Sequence, residues 1–220
     1  MRENDVDWNN LRIDILNNFQ TYHQQFIDNN GFDGPSLHFH ERALNCENNQ
    51  KAEMVYAVVT SWGMHRMGDR GAKMNDFPLF RDSINTQFLE ACDRAMNNCL
   101  DIIRNRRAAD LVPLFKQINI MQTNTKIVGN SKALAHFIPQ LVCPIDREYT
   151  CRFVKGSRNI PKNEADLFEW FHNRVIFPLI EDSQFSAIAN MWIQDSEMRW
   201  DTSLPKIVDN IIIGKMRGNQ

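Results

Sequence analysis

Apolar residues along this chain return every three or four positions and almost never every second one. Trp8, Leu11, Ile15, Phe19, Tyr22 and Phe26 form the first such stripe, the spacing of a helix face turned toward a core. Asp5 or Asp7 stands where that helix needs a cap, and Gly31 to Pro35 break it. Short helices follow over 36–46 and 50–62, the second burying Met54, Val55, Val58, Val59 and Trp62. The stretch 63–71 holds three glycines and two arginines and reads as a loop. Pro78 suits a first helical turn, and from it to Arg107 the pattern predicts two helices, the second built on Phe88, Leu89, Cys92, Met96, Leu100 and Ile103. Further helices are expected over Leu111–Ile118 and Lys132–Phe137, from Asp146 onward, and over Glu164–Phe177, Ser183–Ile193 and Leu204–Met216. With alternating runs nearly absent, the expected fold is all-α.

Composition narrows the class. The 220 residues are 43% hydrophobic and 24% charged, with 14 Phe and 5 Trp, which excludes disordered and collagen-like chains. The start, Met1 to Asp5, is polar and acidic rather than signal-like, and no run approaches the roughly 18 apolar residues of a membrane span. Five cysteines at irregular spacing suit a reducing cytosol. No Cys-x-x-Cys occurs, so neither a zinc ribbon nor an iron–sulfur cluster is expected. His38 and His40 flank one residue, but two imidazoles without a third ligand are read as solvent-facing or capping. No metal and no cofactor are expected.

The net charge of −2 argues against a nucleic-acid partner until it is resolved along the chain. Between Ile102 and Lys162 stand eleven Lys and Arg against only Asp110, Asp146 and Glu148, a net of +8, which leaves −10 for the rest. One basic block in an acidic frame is the footprint of a face that meets phosphates. The same numbers also suit a basic surface that pairs with acids of its own chain.

Candidate chemistry lies inside that block, from Lys126 to Phe153. Gly129 permits a close backbone approach, and Asn130 or Ser131 can begin a helix whose unpaired N–H groups attract an anion, with Lys126 and Lys132 beside it. The chemical reading is a phosphate-binding hairpin. Fifteen residues after Ser131, Pro144 and Ile145 lead to Asp146, at the expected N-cap of the next helix. There the helix dipole and N–H bonds hold a carboxylate ionised, with Arg147 and Arg152 adding charge. Asp is also a favoured cap with no further role.

This order of features resembles the helix-hairpin-helix DNA glycosylase superfamily over roughly residues 110–155. The resemblance implies two helical lobes around the hairpin within one compact unit of residues 1–220: 1–60 with 160–220 as one lobe, 61–159 as the other. It implies that Lys126, Val128, Gly129, Asn130, Ser131, Lys132, Arg147 and Arg152 meet the DNA backbone and that Asp146 is the catalytic acid. This chain has Lys126-Ile127-Val128 where the family has Leu-Pro-Gly, a shorter interval from Gly129 to Asp146, and no cluster cysteines after the Asp. In members with lyase activity a Lys stands two places after the last hairpin glycine; here that place is Ser131, and Lys132 lies a further 100° or so round the helix. The resemblance therefore implies a monofunctional enzyme that leaves an abasic site.

The expected reaction is hydrolysis of the N-glycosidic bond of a nucleotide flipped from double-stranded DNA, by a cytoplasmic monomer. Trp62, His65, Arg66 and Tyr149 are the candidates for the base pocket, with Trp192 and Trp200 behind them. The base is a damaged one, as in repair, or a bulky modified cytosine of phage DNA, as in antiviral defence. The alternatives are a non-catalytic DNA-binding helical protein that uses the same basic block and a helical protein whose basic face meets an acidic partner.

Overall fold

A computed structural model describes residues 5–30, 34–64 and 73–218. They form helices α1 (Trp8–Asp28), α2 (Pro35–Asn45), α3 (Asn48–Val59), α4 (Phe77–Ser83), α5 (Thr86–Asn97), α6 (Cys99–Arg104), α7 (Val112–Gln117), α8 (Ile127–Phe137), α9 (Thr150–Lys155), α10 (Glu164–Phe171), α11 (Phe177–Glu181), α12 (Ser183–Gln194) and α13 (Leu204–Gly218). The protein is all-α. A single antiparallel bridge, Met74 with Met121, is the extended pairing among the described residues. No helix there is long and apolar enough to cross a membrane.

Local chemistry explains the boundaries. Asp7, not Asp5, caps α1, accepting from the Asn10 amide at 3.0 Å. The same device recurs where Asn85 takes the Phe88 amide and Asp182 the Phe185 amide. The second helix expected before Arg107 is two helices, because Asn98 turns its side chain onto the Arg94 carbonyl and ends α5 there. The helix expected from Glu164 to Phe177 stops being α-helical at His172, where a π turn runs to Ile176.

One hydrophobic core runs from Trp8 to Ile212 and includes the apolar faces of nearly every helix. Helices α1 and α13 lie side by side and press together at Gly214, where a Cβ would stand 1.9 Å from the Tyr22 carbonyl oxygen. Only a glycine fits there. Helix α9 packs on α13 and α1, while α2, α3 and α10 pack on α8. These contacts cross the lobe boundaries expected at 60 and 160.

Candidate functional site

Three side chains hold the segment before Asp146 by its amides. The ring of His172 donates from Nδ1 to the Phe168 carbonyl at 2.7 Å, which leaves Nε2 to accept the Cys143 N–H at 3.0 Å. Ser131 Oγ accepts the Ile145 N–H at 2.9 Å, and Thr150 Oγ1 accepts that of Asp146 at 3.0 Å. Burial keeps His172 neutral, pushing it down to about 4, so Nε2 remains an acceptor through neutral pH. A chain pinned this way presents its next side chain in a fixed direction.

That side chain is the Asp146 carboxylate. Its Oδ1 accepts the amides of Glu148 at 2.6 Å and Tyr149 at 3.3 Å, and its Oδ2 lies 3.0 Å from Lys132 Nζ. Burial opposes ionisation, but the Lys132 charge and hydrogen bond, with the two amides, outweigh it and hold the carboxyl below its usual range. Asp146 caps a turn rather than a helix as expected, since α9 starts only at Thr150. Arg152 does not assist it: with Arg158 it is engaged by Glu148.

Asp146 and Lys132 open onto a cavity of about 250 Å³, room for on the order of eight waters and so for a flat ring. Phe26, Trp62, Tyr149 and Trp200 give it an aromatic lining. Lys132 Nζ stands 5.7 Å from the Trp62 ring centroid, a cation–π distance. Behind the wall, His40 stacks on Trp200 at 5.2 Å and bonds His136 at 2.9 Å and Thr202 at 3.0 Å. Burial holds both rings neutral, with His136 near 4, and their hydrogen bonds fix the face on which the two tryptophans rest. His40 is thus turned inward, and among the described residues no group of His, Cys, Asp and Glu is arranged to hold a metal ion.

Part of the lining comes from α13. Lys206 and Asp209 are 6% and 5% exposed, yet both line the cavity. Lys206 Nζ lies 2.8 Å from Asp209 Oδ2 and bonds Asn210 Oδ1. Asn210 in turn donates to Asp201 Oδ1 at 2.7 Å, and Asp201 pairs with His23 at 2.7 Å. Sequence reading passed over Lys206 and Asp209. The available signal was a pair of opposite charges three apart, flanked and separated by the apolar Ile207, Val208, Ile211 and Ile212.

Of the expected base-pocket residues, Trp62 and Tyr149 line the cavity and so does Trp200. Trp192 lies flat on His23 at 3.8 Å, outside that lining. His65 and Arg66 fall outside the described residues.

The expected phosphate-binding hairpin needs correction. Helix α8 begins at Ile127, so Gly129, Asn130 and Ser131 lie within it and are buried, as is Val128. The close approach that Gly129 permits is to Met121, whose Sδ would lie 2.5 Å from an added Cβ, and not to a phosphate. The free amides at the start of α8 are taken by the protein's own anion: Glu164 Oε2 accepts the N–H groups of Lys126 and Ile127, both at 2.7 Å. Lys126 Nζ turns back to the Met121 carbonyl, and Asn130 Nδ2 bonds the Phe115 and Ile118 carbonyls. Val128, Gly129, Asn130 and Ser131 therefore serve the core. The sides of α8 are also the reverse of those expected. Ser131 faces the Ile145 amide, and Lys132 faces the cavity.

The basic block divides in two. Arg106 pairs with Glu181, and Arg107 with Asp101 and Asp110, so this end pairs within the chain. From residue 147 to 162, Arg147, Arg152, Lys155, Arg158 and Lys162 surround the single acid Glu148, a net of +4 directly after Asp146. Arg147 is exposed on the same turn as the carboxylate. The geometry thus joins a cationic surface, an aromatic cavity and a charge-stabilised carboxylate. No family model, curated protein or solved structure matches this chain.

Proposed function

We propose that the protein is a DNA glycosylase that receives a flipped base in the cavity between α8 and α13 and hydrolyses its N-glycosidic bond at Asp146. The observation that carries this reading is the Asp146 carboxylate, held ionised by Lys132 and two amides at the edge of an aromatic-lined cavity. As the bond breaks its electron pair leaves with the base, and positive charge grows on the sugar. A fixed carboxylate beside that carbon stabilises the developing cation. Water then adds to the sugar carbon and loses a proton, and the base ends protonated. Arg147 and its basic neighbours supply the electrostatic hold on the strand.

Lys132 fits a monofunctional enzyme for a reason other than its place in the sequence. Its ammonium donates to Asp146, and an ammonium has no lone pair with which to attack a sugar carbon. A second cavity of about 340 Å³ shares Phe26, Asn30 and Trp200 with the first, which supports a base carrying a bulky substituent, such as the modified cytosines of phage DNA.

The test is incubation, without added metal, with duplexes carrying damaged bases or bulky modified cytosines, followed by hot alkali. Alkali-dependent breaks that vanish in Asp146→Asn are expected. Breaks without alkali would remove the monofunctional assignment, and tight binding with no product on any substrate would leave a DNA-binding protein.

A further inference from the structure

The Lys206–Asp209 pair is more than a buried salt bridge. Removing two charges from water is costly, and a buried pair is tolerable when every remaining donor and acceptor is met. Here the accounting is incomplete. Lys206 Nζ spends two of its three N–H groups, on Asp209 Oδ2 and Asn210 Oδ1. Asp209 Oδ1 accepts no hydrogen bond among the described residues. Both residues line the cavity. The ammonium is held between aromatic faces, 5.5 Å from the Trp200 centroid and 5.9 Å from that of Phe26, so it has little freedom to turn elsewhere. One open acceptor therefore stands beside one open donor at the wall of a cavity with room for a flat ring.

We propose that Asp209 and Lys206 read the edge of an amino-bearing base, of the cytosine or adenine type, by accepting one N–H of its exocyclic amino group and donating to the ring nitrogen beside it. The assignment rests on the cavity's receiving a base, as proposed above. With Oδ2 committed to Lys206, Asp209 has one oxygen to offer and takes a single N–H. A uracil or thymine edge sets its one imide N–H between two carbonyl oxygens. A carboxylate reaching that hydrogen then faces a second acceptor with no proton between them, whereas an amino group has no carbonyl on its far side. Carboxylates elsewhere accept from the cytosine amino group for the same reason.

The experiment uses the full chain in an Asp146→Asn background, so that chemistry does not consume the probe. Duplexes with a single mispaired cytosine, uracil, adenine or thymine are titrated, and quenching of tryptophan fluorescence is read. Cytosine and adenine are expected to bind at least about tenfold more tightly than uracil and thymine, and adding Asp209→Asn should erase that preference. Equal affinity for all four, or a preference unchanged by Asp209→Asn, overturns the proposal. If Asp209→Asn fails to fold, as a melting curve will show, the double variant Lys206→Met/Asp209→Leu removes both charges together, and a preference it retains is equally fatal. The two readings fail separately. Excision by the native chain that is indifferent to Asp209→Asn removes only the reading site, while base preference without excision on any modified substrate removes only the glycosylase.

Discussion

The cavity is lined by two carboxylate–ammonium pairs, and they differ in what they leave open. Asp146 sits on a turn, with one oxygen on two backbone amides and the other on Lys132. Asp209 sits within a regular helix, with one oxygen on Lys206 and the other without a hydrogen bond among the described residues. Saturation keeps the first pair charged and still, as suits a group that must be ionised when a cation develops beside it. Vacancy suits the second pair to the reading role proposed for it, in which a ligand supplies the missing partner. On the proposed reading, the same chemistry, one acid and one amine, serves two tasks according to the number of backbone donors each site supplies.

The comparison is broken most severely at Asp146. Replacing it by Asn keeps the amide contacts at Oδ1 but removes the charge, and excision should fall by about a hundred- to a thousandfold, measured as single-turnover release of base. If excision survives, the two pairs do not divide the work. Lys132→Met tests what keeps Asp146 ionised. Burial then acts with less opposition, so the Asp146 carboxyl titrates higher and the acid limb of the pH–rate profile moves to higher pH; Lys206→Met should leave that limb where it is. The sign follows from the ionised form being both the active one and the one that Lys132 favours.

Smaller effects sharpen the contrast by testing the supports. Gly214→Ala forces a Cβ against the Tyr22 carbonyl, with a cost of about 1–3 kcal/mol or more. It should lower the melting temperature and disturb base binding at α13 before it changes the pH profile set at Asp146. Glu164→Ala strips two amides of their acceptor at the start of α8. A loss of about 1–3 kcal/mol is expected, seen as a fall of several degrees in the thermal melt, with the base preference unchanged.

How far this was legible in the sequence follows from the kind of force involved. The helical period of Trp8 to Phe26 is a property of the residues themselves, so α1 and the all-α class could be read directly. Asp146 could be singled out because Pro144, Ile145 and the surrounding cations are its neighbours in the chain. The start of α8 could not be read correctly. Its partner, Glu164, is a residue of a different helix, and an apolar Ile127-Val128 run looks alike before a helix or within one. Placing that start a few residues late turned Ser131 outward and Lys132 away, the opposite of the folded arrangement. Lys206 and Asp209 needed α13 to be set against α1 and α9 before their charges had a cavity to face.

The contact of Gly214 with Tyr22 also bears on when the cavity can exist. Its walls come from α1, from the middle of the chain and from α13, and the clasp between the outer helices joins positions near opposite ends of the described residues. A nascent chain still missing α13 has the carboxylate of Asp146 but lacks the part of the lining that α13 supplies, and closing so long a loop is slow compared with forming any one helix. Binding competence should therefore arrive last in folding, after helicity is already complete, so that tryptophan signals from Trp200 lag behind circular dichroism in a refolding experiment.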